Sequence, residues 1–200
     1  MKLVLWIVTA FALMSLAAPA FAQNKAPEKT TATAPASGPR AEFLTELKVE
    51  QDKFIRLAEA IPADKYGWRP TEGVRSVGEV LLHVAAANYN LPKLIGTPPP
   101  AGFSAQGYDK SITDKVKIIA ALKDSFDHIR QAVINMPDAN LENQLDWFGG
   151  KNTERGILLF MTRHTAEHLG QSIAYARSVG IVPPWTEDQQ RQQAPPQKGK

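Results

Sequence analysis

The chain contains no cysteine, so disulfide staples, zinc–thiolate clusters, a nucleophilic thiol and a lipid-bearing N-terminal cysteine are excluded together. It also has little net charge: 23 basic against 20 acidic residues leave +3, without the dense basic stripe that a nucleic acid requires. No nucleic-acid partner is therefore expected. Alternating polar and apolar positions are scarce as well, and no convincing β segment stands out. What is present is 44% hydrophobic and 22% charged, in 200 residues, the balance of one folded domain.

Three terminal segments fall outside that domain. The first has one cation at Lys2, an apolar run from Leu3 to Leu16 broken only by Thr9 and Ser15, and Ala20-Phe21-Ala22 before Gln23. This pattern predicts a signal peptide over residues 1–22, cleaved after Ala22. The alternative is an uncleaved anchor, because residues 3–22 are long enough to cross a bilayer. Either reading puts the folded part outside the cytoplasmic membrane, and cleavage makes it periplasmic or otherwise exported, with no stable membrane insertion. Residues 23–40, with Pro27, Pro35 and Pro39 among small and polar residues, are expected to form a flexible linker. Residues 183–200, rich in Gln and carrying Pro195 and Pro196, are expected to form a disordered polar tail. Residues 41–182 remain for a single core.

Within that core the apolar residues recur at helical spacing. Phe43, Leu47, Phe54, Leu57 and Ile61 mark a first amphipathic helix from Ala41, stopped at Pro62. A second starts at Ser76, where Glu79 three residues on completes a capping box; its stripe is Val80, Val84, Ala87, Leu91 and Leu94, kinked or ended by Pro92. Ser111 or Thr113 is expected to cap a third, with Val116, Ile119, Phe126, Ile129 and Val133 buried. Asn152 or Thr153 is expected to cap the longest, over 154–179, closed by Gly180 and Pro183. Four helices of roughly 18–26 residues predict an all-α four-helix bundle, with connectivity left open by the long links.

Histidine placement carries the chemistry. His164 and His168 stand one turn apart on the last helix and should project together towards the interior. His83 lies beside core positions of the second helix, whereas His128 is expected to face solvent. Buried neutral imidazoles need partners. A divalent metal on two nitrogens from one helix and a third from another would leave a position open for water or substrate. A hydrogen-bonded structural cluster is the competing reading, because spacing alone does not bring His83 to the other two.

Several neighbours could assist. Glu79, one turn before His83, is a candidate catalytic base, although capping already accounts for it; Gln171 and Glu167 are candidates to orient a ligand imidazole. Trp68, Tyr89, Trp147 and Phe148 could line a pocket mouth or plug the bundle ends. The small run Ala85-Ala86-Ala87 leaves room over the metal or permits close helix packing.

These elements occur in a recognisable order: Trp68-Arg69-Pro70, Gly78-Glu79 with His83, then His164, His168, Gly170-Gln171, Tyr175, Arg177, Gly180 and Pro183-Pro184. The set resembles the DinB/YfiT-like family of metal-binding four-helix bundles over about residues 43–184. The resemblance implies a metal site at His83, His164 and His168 taking a divalent transition metal such as zinc, nickel or manganese. It also implies chemistry similar to that of thiol-dependent transferases, a thiol-dependent isomerase or metal hydrolases. An exported location departs from the thiol-rich compartment of the cytoplasmic members, which weakens the transferase reading here. The expectation is a metal-dependent hydrolase or thiol-linked transferase acting on an unknown small-molecule substrate, with a noncatalytic metal-binding or interaction module as the alternative. A homodimer is left open.

Overall fold

Proline and capping chemistry decide where the helices of this chain start and stop. The computed structural model describes residues 33–193, so the expected signal peptide, most of the linker and the last residues of the tail lie outside the described residues. Helix α1 spans Pro39–Ala60 with proline in its first turn, where the missing N–H is not needed. Helix α2 spans Val77–Asn90, α3 spans Lys115–Asn135 and α4 spans Glu154–Ser178. A two-stranded antiparallel hairpin, β1 (Gln144–Trp147) and β2 (Gly150–Thr153), precedes α4. Helix α5 spans Pro184–Gln193. The fold is all-α, as expected.

Contacts at the helix ends establish the connectivity. Arg40 at the start of α1 donates from Nη1 to the carbonyls of Val133 and Ile134 at the end of α3, each at 3.2 Å. Lys115 at the start of α3 donates from Nζ to the carbonyls of Glu59 and Ile61 at 2.8 and 2.6 Å. These two helices are therefore antiparallel, and each cation satisfies carbonyls that the end of α1 or α3 leaves free. Helix α2 runs with α3, since Gly78 abuts Ile118 and the Asn88 amide donates to Ser125 Oγ at 3.2 Å further along. Helix α4 runs against α2, with Phe160 near Asn90 at one end and Gln171 near Glu79 at the other. The order is up-down-down-up, and the link between α2 and α3 returns along the bundle. The core contains Leu47, Phe54, Leu57, Val80, Val84, Leu122, Phe126, Ile129, Ile157 and Met161. Each large apolar side chain buried there contributes about 1.5–3 kcal/mol.

Several expectations are corrected. Helix α2 has 14 residues, shorter than expected, because Pro92 diverts the chain into a 3-10 turn, Leu91–Ile95. Asp114 caps α3 in place of Ser111 or Thr113, accepting from Lys117 N at 2.9 Å. That start turns Ile118 and Leu122 inward and leaves Val116 74% exposed. Thr153 caps α4. The 144–153 hairpin replaces an irregular link; its turn needs positive φ at both central residues, which Gly149 supplies freely and Phe148 adopts at φ 45. The expected linker over residues 23–40 ends earlier, since α1 starts at Pro39 and Arg40 is helical and buried. The expected disordered tail holds α5, which the Arg56–Asp188 ion pair and Lys53 over the Trp185 ring tie to α1. Among the described residues no helix is long and apolar enough to cross a membrane.

Candidate metal centre

The phase of α2 is set at its first turn. Ser76 Oγ accepts from the Glu79 amide at 3.3 Å, while Glu79 Oε2 accepts from the Ser76 amide at 2.8 Å. This capping box points Val80 and Val84 into the core and leaves His83 half-buried towards α4. Helix α4 is started by Thr153 Oγ1, which accepts from the Gly156 amide at 3.0 Å. His164 and His168 then follow on adjacent turns of one face, both half-buried.

The three imidazoles converge. His83 Nε2 and His164 Nε2 are 3.3 Å apart, and one nitrogen from each of His83, His164 and His168 lies within 4.8 Å of the others. Ring centroids are 5.2 Å apart for His83 and His164, 4.7 Å for His83 and His168, and 4.6 Å for His164 and His168. Burial, followed by the charges of Arg75 and His168, lowers the His83 pKa to about 4. Burial also brings His164 to about 4, with His168 and His83 the next causes. Both rings are therefore neutral near pH 7, the form in which imidazole binds metals. Two nitrogens held tetrahedrally on bonds of 2.0–2.1 Å would stand about 3.3–3.4 Å apart. The His83–His164 separation fits that requirement, so the triad can hold a metal ion.

His168 is oriented from behind. Its Nδ1 donates to Gln171 Oε1 at 2.8 Å, and Gln171 Nε2 donates to the Tyr175 hydroxyl at 3.0 Å. Tyr175 in turn meets the edge of Trp68 at a centroid distance of 5.4 Å. Fixing the proton on Nδ1 leaves Nε2 with its lone pair available. Gln171 is thus hydrogen-bonded to the ring of His168 on the side away from Nε2. Glu167 is not: its side chain is 59% exposed and pairs with Arg163 at 3.6 Å. Glu79 is engaged in the capping box and with Arg69 at 3.2 Å. It lines a neighbouring cleft that Gln171 and Arg75 share. His128 is not solvent-facing as expected. It is half-buried against Tyr89, its Nε2 is buried without a partner among the described residues, and burial lowers its pKa.

His83 and His164 open onto a cavity of about 460 Å³, which Ala86, Ala87, Asn90, Leu91, Phe160, Arg75 and Asp109 also line; His168 stands beside them outside its lining. Trp68, Tyr89, Trp147 and Phe148, candidates for a pocket mouth or for plugs of the bundle ends, are not among the residues that line it. Trp68 braces Tyr175, Tyr89 packs with Phe103 and Tyr108, and Phe148 is 88% exposed on the hairpin turn. Trp147 stands behind the wall, with its ring 4.8 Å from that of Phe160. Arg75, Asp109 and Phe160 are the lining residues that sequence reasoning missed. Arg75 directly precedes the cap Ser76, Asp109 lies in an aperiodic link, and Phe160 falls one turn before His164 at a spacing that a core residue would equally have. The small residues Ala86 and Ala87 do leave open space at the site.

Nothing among curated proteins matches the chain. Solved structures that share its fold include a DinB-like protein from Bacillus subtilis at 21% identity and TM-score 0.57, covering 70% of this chain and 93% of that one, and a DinB-like protein from Bacillus cereus at 18% identity and TM-score 0.62, covering 71% and 93%. The sequence pattern of the DinB superfamily matches residues 46–172, a span that contains all three imidazoles, the whole of α2 and most of α4, and the chain belongs to that superfamily.

Proposed function

We propose that this protein is an exported, divalent-metal-dependent enzyme, a hydrolase in the first instance, acting on a small molecule bound in the cavity beside the triad. The observation that carries the reading is the convergence of three imidazoles, two of them on the wall of an open cavity. A closed structural site would use four protein ligands and leave no space. A donor set of imidazoles without a carboxylate favours zinc or nickel over manganese. Bound there, the cation supplies Lewis acidity to a substrate oxygen or sulfur.

The chain's own residues do the rest. His83, His164 and His168 are the nitrogen ligands, Gln171 holds the His168 proton on Nδ1, and Phe160 with the alanines of α2 forms an apolar wall of the cavity. With no cysteine in the chain, a thiol nucleophile would have to enter as a substrate. That is the second reading, a thiol-linked transferase, favoured by the open cavity and the family resemblance. Export rests on the N-terminal pattern alone. It predicts that intact mass from the native host begins at Gln23, whereas a full-length chain extracted only by detergent would favour an anchor.

Elemental analysis after tag-free purification tests the metal reading: about one ion per chain is expected, and none after zinc or nickel loading would reject it. An activity screen over esters, amides and activated thiol acceptors, with and without a small thiol, tests the reaction. Thiol-independent turnover supports the hydrolase, turnover only with thiol the transferase, and none at full loading a noncatalytic metal-binding module.

A further inference from the structure

Two imidazoles of the triad, His83 and His164, share their cavity with an arginine that no part of the metal centre requires. Arg75 Nε donates to Asp109 Oδ2 at 3.0 Å, with side-chain exposures of 42% and 20%. The pair lines both the triad's cavity and the adjoining cleft. A single nitrogen of the guanidinium is thereby used, and among the described residues Nη1 and Nη2 hold no hydrogen bond to protein. On a residue that lines the cavity, the two parallel N–H groups of a guanidinium form the fork that receives a carboxylate in bidentate fashion. Electrostatics supports the same conclusion. A cation beside a divalent-metal site is repelled by it, and Asp109 offsets one charge only, so a bound anion would balance the cavity.

We propose that Arg75, steadied by Asp109, is the specificity-determining residue of this cavity and binds the carboxylate of a small anionic substrate. The assignment rests on the cavity being the substrate site of the proposed metal enzyme. Asn90 and the apolar wall of Ala87 and Phe160 leave the remainder of the ligand a mixed surface, compatible with a short aliphatic or aromatic acid.

Calorimetric titration of the zinc-loaded protein with succinate and with its uncharged diamide tests the proposal. Succinate should bind and the diamide should not. Arg75→Gln should weaken succinate binding by about ten- to hundredfold, the range for loss of hydrogen bonds to a charged group. Arg75→Lys should fall between, since it keeps the charge and loses the fork. Zinc stoichiometry and the circular dichroism spectrum should be unchanged in both variants, as the side chain is substantially exposed. Equal succinate affinity in wild type and Arg75→Gln would overturn the proposal, because the carboxylate would then be held by the metal alone. So would binding of inorganic phosphate in preference to succinate, or no anion binding by the loaded protein. The titration is repeated on metal-free protein. Failure to load zinc would reject the metal reading, and Arg75-dependent succinate binding in that protein would still uphold the Arg75 assignment while its absence would end both.

Discussion

Replacing Gln171 by Leu should weaken metal binding without touching a ligand. The amide oxygen accepts from His168 Nδ1 at 2.8 Å and the amide nitrogen is held by the Tyr175 hydroxyl at 3.0 Å. Leucine keeps the volume and removes both bonds. The half-buried Nδ1–H then loses its partner, the imidazole regains both its rotation and its other tautomer, and Nε2 is no longer held ready as a donor. Loss of such an outer partner typically costs 10- to 100-fold in metal affinity, or about 1.4–2.7 kcal/mol. Competition against a chromophoric zinc chelator measures this directly, with circular dichroism confirming that α4 remains helical. Gln171→Glu should hold or tighten zinc, because a carboxylate accepts the same proton and makes the ring more basic. Tyr175→Phe removes only the hydroxyl two steps from the ring, and should cost a few-fold. Zinc affinity in Gln171→Leu within twofold of wild type would refute the reasoning, as would Gln171→Glu proving equally damaging.

Alanine at His83, His164 or His168 should cost on the order of 100-fold or more in zinc affinity, exceeding the outer-partner range, whereas His128→Ala should leave it unchanged in the same titration. Glu50 gives a stability prediction. It is 8% exposed with Oε2 buried and unpartnered among the described residues, and burial, aided by Glu46, raises its pKa from 4.5 to about 7. Because the folded value lies above the unfolded one, its contribution is fully present below pH 4.5 and is lost as pH rises through about 7. The loss totals about 3 kcal/mol. Urea midpoints followed across that range should fall for wild type and stay flatter for Glu50→Gln; parallel curves would contradict the assignment. A β-carbon at Gly78 would stand 3.0 Å from Ile118 Cδ1 and 3.4 Å from the Tyr66 carbonyl. Gly78→Val should therefore destabilise by about 1–3 kcal/mol in urea unfolding.

Legibility in the sequence followed the range of the interaction. The Ser76 and Glu79 cap, the Pro92 stop and the shared face of His164 and His168 are local patterns, and each is seen in the structure. Association of His83 with the α4 pair crosses 81 residues, so spacing left it open until the family resemblance suggested it. The phase of α3 is ambiguous in the sequence because Ser111, Thr113 and Asp114 all carry a side-chain oxygen able to accept from a first-turn amide, and only the last does so. The hairpin escaped notice because four-residue strands with Leu145 and Trp147 as their inward positions carry too little alternation. Helix α5 depends on Trp185 and Asp188 meeting α1, a tertiary preference that overrides a polar composition. Arg75 and Asp109 meet across 34 residues, with one partner in an aperiodic link.

The 81-residue separation of His83 and His164 has a mechanical meaning in a chain without cysteine. A cation bridging α2 and α4 would close that loop reversibly, acting as a cross-link whose strength is set by mass action. At free metal a hundredfold above the dissociation constant the folded state would gain about 2.7 kcal/mol. A chelator would then lower the melting temperature of the whole bundle with every side chain intact, and the resistance of the protein to unfolding would track the metal content of its surroundings.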